Sequence, residues 1–491
     1  MAFRPTLAAS AVAALLCACA AGPDYTRPAL DIPAAWKEGG AWKTAEPQPA
    51  GSAEPWWQAY HDATLDALMA DAERANQSIR QSEAQYRQAR ALADEARAGL
   101  FPTLGANAGA ERARTNSSGV KLGDSYTLGL SASWEPDLWG SVRRAIESGD
   151  ASAQASAFDL AGARLSIQTT LAQDYLQLRI VDLERALYAD TTASYARSLK
   201  LAQAQHAAGV ALSSDVAQAQ SQLATAQAAQ VDLDATRAQL EHAIAVLTGR
   251  APAQFALAPL PAQQTFALDL PATPVQLPSA LLEHRPDIAA AERRVALANA
   301  NIGVAKAAYF PSLALSASGG GSAATLAGLF DTPGRVWALG AALAGTLFDG
   351  GLRSARTAAA VAAYDLAVAQ YKSTVLAGFQ QVEDEIALLR VLDQEAVLRD
   401  QAVQASRRAE QLVLAQYRGG TVSYTSVITA QQAALSARLG AVTLRGRQLL
   451  ASVTLIGATG GGWSAADPAS LSALSTPTPA SPQRPTQEPQ P

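Results

Sequence analysis

Residues 141–209 read SVRRAIESGDASAQASAFDLAGARLSIQTTLAQDYLQLRIVDLERALYADTTASYARSLKLAQAQHAAG, and no proline interrupts this run. Residue types that favour helices, chiefly Ala, Gln, Leu, Arg and Glu, fill it. Apolar residues recur at Leu160, Ile167, Leu171 and Leu178. This is the 3.5-residue rhythm of helices that pack as coiled coils. We expect one continuous helix, which would reach roughly 100 Å at 1.5 Å per residue, far beyond a helix of an ordinary globular core.

The same kind of segment returns at residues 352–419. Its apolar residues keep the rhythm at Tyr364, Tyr371, Val375, Phe379, Val382, Ile386 and Leu389. The similarity extends beyond the helices at an offset of about 210 residues. Corresponding positions are Ile79 and Ile288, Glu83 and Glu292, Arg143 and Arg353, and Gly209 and Gly420. We interpret this as an internal duplication, in which each half is a short helix, a hairpin, a long helix, a glycine turn and a return helix.

A pair of strands precedes each long helix. One face of residues 126–134 carries Tyr126, Leu128, Leu130, Ala132 and Trp134 at alternate positions. Residues 103–114 alternate more weakly, and residues 116–124 form a polar loop between them. The second hairpin ends in Trp337, Leu339, Ala341, Leu343, Gly345 and Leu347, again at alternate positions. We place the glycine run 319–321 in its loop, which excludes a phosphate cradle between a strand and a helix.

These strands have the length, about ten residues, that a tilted membrane strand needs. A soluble hairpin packed on helices would show the same alternation, but two hairpins at matching points of a duplicated chain favour membrane strands. Four strands cannot close a membrane barrel, whose smallest bacterial form has about eight. The chain must therefore oligomerise if its strands span a membrane, because open sheet edges are not tolerated in lipid.

The amino terminus predicts export. Residues 1–18 carry one basic residue, Arg4, and a short apolar run, which is the pattern of a signal peptide. Cys17 and Cys19 are the only cysteines. The residues before Cys19 resemble the bacterial lipobox, which implies lipidation of Cys19, and Ala20 after it implies sorting to the outer membrane. The alternative is an ordinary signal peptide with two incidental cysteines.

These patterns predict a layout for the whole chain. A lipidated extended segment at 19–62 precedes the first repeat at 63–250, an equatorial linker at 251–278, the second repeat at 279–458, and an equatorial end with a disordered tail at 459–491. The first repeat has a helix at 63–98, a hairpin at about 102–135, a long helix at about 141–208 and a return helix at about 212–248. The second has a hairpin at about 311–348, a long helix at about 352–418 and a return helix at about 422–457.

The chemistry of the chain gives no sign of catalysis. The formal net charge is −5 and charged residues make up 16%, which leaves no basic stripe for nucleic acid. His61, His206, His242 and His284 are far apart and lack the spacing of metal ligands. No nucleophile or acid pair stands out, so we predict a protein that is not an enzyme and holds no cofactor.

Several short motifs, in order along a duplicated chain, resemble those of a known family. They are Gly22-Pro23-Asp24-Tyr25, Arg27-Pro28, Glu283-His284-Arg285-Pro286-Asp287-Ile288, Ala291-Glu292, Tyr309-Phe310-Pro311, Phe348-Asp349-Gly350-Gly351 and Gly460-Gly461-Gly462-Trp463. Together they resemble the TolC/OprM-like outer membrane factors of tripartite efflux systems, in the lipoprotein branch.

This resemblance implies a mainly α fold with a membrane β-barrel. Three copies would close twelve strands in outer membrane lipid, and their helices would continue the barrel as a periplasmic tube with a belt formed by residues 31–62 and 250–278. A periplasmic adaptor of an inner-membrane pump would dock on the helix-turn tips, at Gly209, Val210, Arg418, Gly419, Gly420 and Thr421. Drugs or other small molecules would pass through passively.

The aperture departs from the family pattern. Family members often narrow the tip with aspartates after the second glycine turn, where this chain has Val422 and Thr429, whereas Asp215 follows the first turn. We therefore do not expect a full carboxylate ring from the second repeat, and we expect weaker cation selectivity. Packing and neutral hydrogen bonds, with Tyr417, Arg418 and Tyr424, would hold the tip closed.

Two other functions remain open at this point. A periplasmic helical scaffold or adaptor lipoprotein would also have long helices and a lipid anchor, although it would not need two hairpins of membrane length. A type I protein-secretion duct would share the channel architecture, and the lipid anchor favours small-molecule efflux only by resemblance.

Overall fold

The computed structural model describes residues 21–38, 55–115, 121–260, 284–461 and 463. The predicted signal peptide, the lipidation site at Cys19, most of the linker at 251–278 and nearly all of the tail after residue 461 lie outside the described residues.

Seven α-helices and four β-strands make up the described part of the chain. They are α1 (Ala63–Ala75), α2 (Gln77–Ala98), β1 (Thr103–Thr115), β2 (Lys121–Trp134), α3 (Ser141–Ala207), α4 (Ser213–Leu247), α5 (Pro286–Ala307), β3 (Ser312–Ala323), β4 (Arg335–Ala344), α6 (Leu352–Arg418) and α7 (Tyr424–Ala458). The halves match in length: α2 and α5 have 22 residues each, α3 and α6 have 67, and α4 and α7 have 35. The predicted mainly helical fold built from two matching halves is confirmed.

The prediction of one helix over 63–98 is wrong at a single residue. Asn76 ends α1 in an extended conformation, and its Oδ1 accepts hydrogen bonds from the backbone N–H groups of Ser78 (2.8 Å) and Ile79 (3.1 Å). Its Nδ2 donates to the carbonyl of Leu247 at 2.8 Å, at the end of α4. The side chain thus caps α2 and ties it to a distant helix, which makes the break favourable.

The strands form one antiparallel sheet in the order β1-β2-β3-β4. The register is continuous: Thr103 pairs with Ser133, Trp134 with Leu315, and Ser312 with Ala344. Within the described residues β1 and β4 are the edge strands, each with one side unpaired.

The prediction that residues 319–321 lie in a hairpin loop is also wrong. All three glycines belong to β3, opposite Leu130, Gly129 and Leu128 of β2. A Cβ on Gly320 would overlap the carbonyl oxygen of Leu128, so a larger residue there would push the strands apart. Close approach of the β2 and β3 backbones therefore accounts for the glycine at position 320.

The chain divides into two compact units, and each draws on both halves of the duplication. The sheet unit comprises Met1–Leu30, Ala84–Phe158 and Ile288–Thr374, and the tip unit comprises Asp31–Glu83, Asp159–Asp287 and Val375–Pro491. In the tip unit, α1, α3 and α7 share a core that includes Leu65, Tyr175, Leu176, Leu449 and Val453. No helix in the described part of the chain is both long and apolar enough to cross a membrane.

Candidate functional site

The first tip turn joins α3 to α4 through a left-handed glycine. Gly209 has φ +76°, and the N–H of Val210 donates to the carbonyl of Gln205 at 2.9 Å. This six-residue closure is the way a helix commonly ends, and glycine takes the positive φ without a steric penalty. Val210 and Leu212 are 74% and 71% exposed, so the turn presents apolar side chains to its surroundings.

The second tip turn, between α6 and α7, repeats this backbone with different side chains. Gly420 has φ +73°, and the N–H of Thr421 donates to the carbonyl of Gln416 at 3.0 Å. The Thr421 hydroxyl donates to the same carbonyl at 3.0 Å. Arg418, Gly419, Gly420 and Thr421 are all exposed. Both turns in the predicted docking site are therefore solvent-facing, one apolar and one polar.

The tyrosines predicted near the aperture lie in a core between the two turns. Tyr417 and Tyr424 are 6% and 1% exposed, and their ring centroids are 5.3 Å apart. They pack with Ala202 of α3 and Ala219 of α4, with Val422 and other partly buried residues at the edge of the cluster. Two helix ends from each half of the chain thus meet in one cluster, which we call the tip core.

Asp215 faces the tip core, and Thr429 lies apart from it. The carboxylate of Asp215 accepts from the N–H of Leu212 at 3.4 Å, at the start of α4. Burial, the neighbouring Tyr417 and the Asp215 charge raise the pKa of Tyr424 to about 12. Thr429 is exposed on α7 and donates its hydroxyl to the Thr425 carbonyl at 3.0 Å. The structure therefore brings together Asp215, Tyr417, Val422 and Tyr424 of the aperture candidates.

One face of the sheet is apolar across all four strands. The register puts the even-numbered residues of β1 and β2 and the odd-numbered residues of β3 and β4 on this face. Its large members are Leu104, Leu122, Tyr126, Leu128, Leu130, Trp134, Leu313, Leu315, Trp337, Leu339 and Leu343. Trp337 and Leu339 are 78% and 75% exposed, so no helix covers them. We call this the outer face, because an uncovered apolar face of this breadth fits contact with lipid.

The opposite face of the sheet is built mostly from Ser, Thr, Asn, Gly and Ala. Thr103 and Ser133 meet there with their hydroxyl oxygens 2.7 Å apart, and Asn107 and Ser131 lie on the same side. Alternation of an apolar face with a polar one is the pattern of barrel strands whose interior is wet.

The segment that follows the predicted lipidation site is fixed to the helices of the sheet unit. The N–H of Ala21 donates to the Trp139 carbonyl at 2.9 Å, and Arg144 pairs with Asp24 at 2.8 Å. Tyr25 donates its hydroxyl to Glu292 on α5, which explains two of the motif positions. Arg144 was not singled out from the sequence, since an isolated arginine carries no motif.

A buried charge network in the tip unit also went unnoticed in the sequence. Asp182 accepts from Arg237 Nε at 2.8 Å, from Arg179 Nη1 at 3.3 Å and from the backbone N–H of Leu260 at 3.3 Å. Arg237 also donates to the Leu257 carbonyl at 2.7 Å. The network holds the chain after α4 against α3 and α4. In the described ranges, no group of three or more His, Cys, Asp or Glu residues is placed to hold a metal ion.

The antiparallel sheet has an uncovered apolar face, and the same chain forms long paired helices with glycine turns. This combination defines a membrane channel of the barrel-and-helix class. Residues 68–250 and 277–461 match the family described as outer membrane efflux protein. The chain belongs to this outer membrane efflux protein family. It is a channel protein of the outer membrane and serves as an exit duct for efflux.

Individual relatives match over nearly their full length. The pyoverdine export outer membrane protein OpmQ of Pseudomonas aeruginosa is 33% identical over 460 residues, which are 91% of this chain and 95% of that protein. The toluene efflux pump outer membrane protein TtgF of Pseudomonas putida is 31% identical over 467 residues, which are 92% and 96% of the two chains. The solved outer-membrane channel OprN has 30% identity and a TM-score of 0.85, and the match covers 91% of this chain and 100% of that one. The predicted membrane barrel with a helical tube is confirmed, and the scaffold alternative is set aside.

Proposed function

We propose that three copies of this chain assemble into a passive exit duct that receives small molecules from an inner-membrane pump through a periplasmic adaptor. The observation that carries the proposal is the outer face, since an apolar sheet face of four strands with two open edges is incomplete as a single copy. Pairing β1 of one copy with β4 of the next would satisfy both edges. Three copies would give a closed barrel of twelve strands, within the range of known outer membrane barrels.

The two tip turns are the proposed docking site for the adaptor. Val210 lies in the turn stabilised by Gly209, and Arg418 and Thr421 flank the turn stabilised by Gly420. Exposed turns held by intrahelical caps are rigid enough to be recognised, and they leave both apolar and polar groups free for a partner. The tip core behind them would keep the aperture narrow by packing, and Asp215 would supply its carboxylate. Val422 and Thr429 of the second repeat add no second carboxylate.

Small molecules are the proposed cargo. OpmQ is named for pyoverdine export and TtgF for toluene efflux, and both compounds are small. We also propose that Cys19 carries the lipid anchor, and that the chain performs no chemistry on its cargo. Protein secretion of the type I kind would need a partner system that nothing in this chain favours.

Cysteine cross-linking tests the assembly cleanly, because the mature chain would have no cysteine after Cys19. Gly109→Cys on β1 would be combined in turn with Ala338→Cys, Gly340→Cys or Ala342→Cys on β4, all on the polar face. One of these pairs should give a disulfide-linked trimer that resists denaturing detergent. Gly109→Cys with Ser318→Cys is the matched control, since β1 and β3 are not neighbours.

The same preparation, reconstituted without cross-links in a planar bilayer, should give small and discrete conductance steps, as expected for a barrel whose tip is narrow in the absence of partners. A monomer without conductance, and no cross-link from any pair, would refute the duct.

A further inference from the structure

Three arginines lie on the outer face at the loop end of the sheet. Arg112 and Arg114 are even-numbered residues near the end of β1, and Arg335 is the odd-numbered first residue of β4. The register therefore places all three on the same face as Leu128 and Leu339. All three side chains are exposed. Charge on the lipid-facing side of a barrel is costly at mid-membrane and tolerated only near the interfaces, so their position at the loop end is significant.

These arginines carry more positive charge than their neighbours balance. Asp124 on β2 pairs with Arg112 at 3.5 Å. Arg114 lies opposite Leu122, and Arg335 lies opposite Gly321, so neither has a carboxylate across the strand pair. Glu111 belongs to the opposite face, since it is odd-numbered on β1. The outer face thus ends in a basic rim.

Within one copy the two parts of this rim are far apart, because β1 and β4 are separated by three strand spacings, roughly 14 Å. In the proposed trimer β1 of one copy pairs with β4 of the next, and this step of the argument rests on the proposed function. Arg112 and Arg114 would then lie beside the neighbouring copy's Arg335 at each seam. Three arginines with one carboxylate repel each other unless an anion lies between them.

Apolar groups lie next to the same rim. After β3 the chain forms a short 3-10 turn, Ala327–Phe330, whose Leu329 carbonyl occupies the space that a Cβ on Gly321 would need. Since Gly321 is on the outer face, the turn lies over that face. Leu326 and Phe330 are 66% and 71% exposed there. A free anion would make no use of these side chains, whereas a lipid would contact them with its acyl chains.

We propose that each seam between copies binds the phosphate group of an anionic glycolipid of the outer leaflet, held by Arg112 and Arg114 of one copy and Arg335 of the next. Guanidinium groups bind phosphate oxygens in a bidentate manner, and Leu326 and Phe330 contact the acyl chains. The bound lipid bridges two copies, so it stabilises the trimer by mass action.

The test measures the temperature at which the purified trimer dissociates in detergent, with added lipid A, with dephosphorylated lipid A, or with inorganic phosphate. Lipid A should raise the dissociation temperature of the unmodified chain by several degrees, and the other two probes should not. The variant with Arg112→Gln, Arg114→Gln and Arg335→Gln should lose this shift. Arg408→Gln, at an exposed arginine near the far end of α6, removes one charge away from the seam and should keep the shift, whereas Arg335→Gln alone, which also removes one charge, should reduce it.

The outcomes separate this proposal from the proposed function. An unmodified chain that forms no conducting trimer would refute the duct, and the lipid site with it. A conducting trimer that lipid A protects no better than dephosphorylated lipid A would refute the lipid site alone. Equal protection by inorganic phosphate, or a shift that survives in the triple variant, would also overturn it. Loss of protection with Phe330→Ser at unchanged conductance would support the contact with the acyl chains.

Discussion

Two buried tyrosines in the tip unit should respond in opposite ways to the loss of one oxygen atom. The hydroxyl of Tyr60 is 2.7 Å from the hydroxyl of Ser452, inside the core of α1, α3 and α7. The hydroxyl of Tyr417 is buried in the tip core and has no hydrogen-bond partner among the described residues. Replacement of either tyrosine by phenylalanine keeps the ring and its packing, so only the hydroxyl is tested.

The expected magnitudes follow from that difference. Tyr60→Phe removes a buried hydrogen bond and should lower the free energy of unfolding by about 1 kcal/mol per copy. Tyr417→Phe removes a polar group that left water without gaining a partner, a loss that ordinarily costs about 1–3 kcal/mol. The second variant should therefore be neutral or more stable by about 1 kcal/mol, and the two should differ by about 2 kcal/mol.

Circular dichroism of both variants in detergent, heated at one fixed rate, gives the comparison. Tyr60→Phe should lose its helical signal at a lower temperature than the unmodified chain, and Tyr417→Phe at the same or a higher temperature. Single-channel conductance should stay small for Tyr417→Phe, because the ring still packs against Tyr424. If Tyr417→Phe lowers the unfolding temperature as much as Tyr60→Phe does, the Tyr417 hydroxyl has a partner supplied by another copy and the reasoning fails.

Four further outcomes are expected. The contribution of Tyr424 to the stability of the tip should be fully present below pH 10 and should be lost as the pH rises from 10 to 12, because this phenol ionises near 10 in the unfolded chain and near 12 in the folded one. Tyr424→Phe should make the loss of thermal stability over this range shallower. Gly420→Ala should cost only about 1 kcal/mol, because φ is +73° and the space around this residue is open. Gly460→Ala should prevent folding, because its Cβ would overlap the carbonyl oxygen of His284. The yield of folded trimer distinguishes the two variants. Asp182→Asn leaves the buried Arg179 without its charge partner and leaves Arg237 with Glu241 alone, so it should cost about 3–5 kcal/mol, seen as faster proteolysis of residues 255–260. Cys19→Ala should abolish incorporation of radiolabelled palmitate, and persistence of the label would place the lipid elsewhere.

Much of the fold could be predicted because it depends on periodicity. The 3.5-residue rhythm of α3 and α6 and the alternation in β2 are properties of the chain itself, and each reflects which face is covered and which is not. The duplication added the order of elements, since a pattern seen once in residues 126–134 could belong to a soluble hairpin. The register then put the apolar residues of four strands on one face, which no single strand could indicate.

What the sequence did not reveal depends on contacts between distant residues. Asn76 breaks a helix because Leu247 lies beside it, and Gly320 must be glycine because the backbone of β2 approaches it closely. Asp182 is an ordinary aspartate in the sequence and becomes the centre of a buried network only when Arg237 and Leu260 reach it. Local pattern carries no information about such pairs, so sequence reasoning finds the elements and misses the residues that join them.

The two tip turns bring both kinds of information together. Gly209 and Gly420 have nearly the same positive φ, and each is followed by the same hydrogen bond back to its helix, so the backbone requirement is identical in both halves. The side chains around them differ, with Val210 and Leu212 in one turn and Arg418 in the other. A backbone rule therefore fixes the glycines, while nothing in folding requires the apolar and basic side chains to differ. Under the proposed docking, that difference would let an adaptor distinguish alternate tips around the ring, three of each kind, although the helices behind them are built alike.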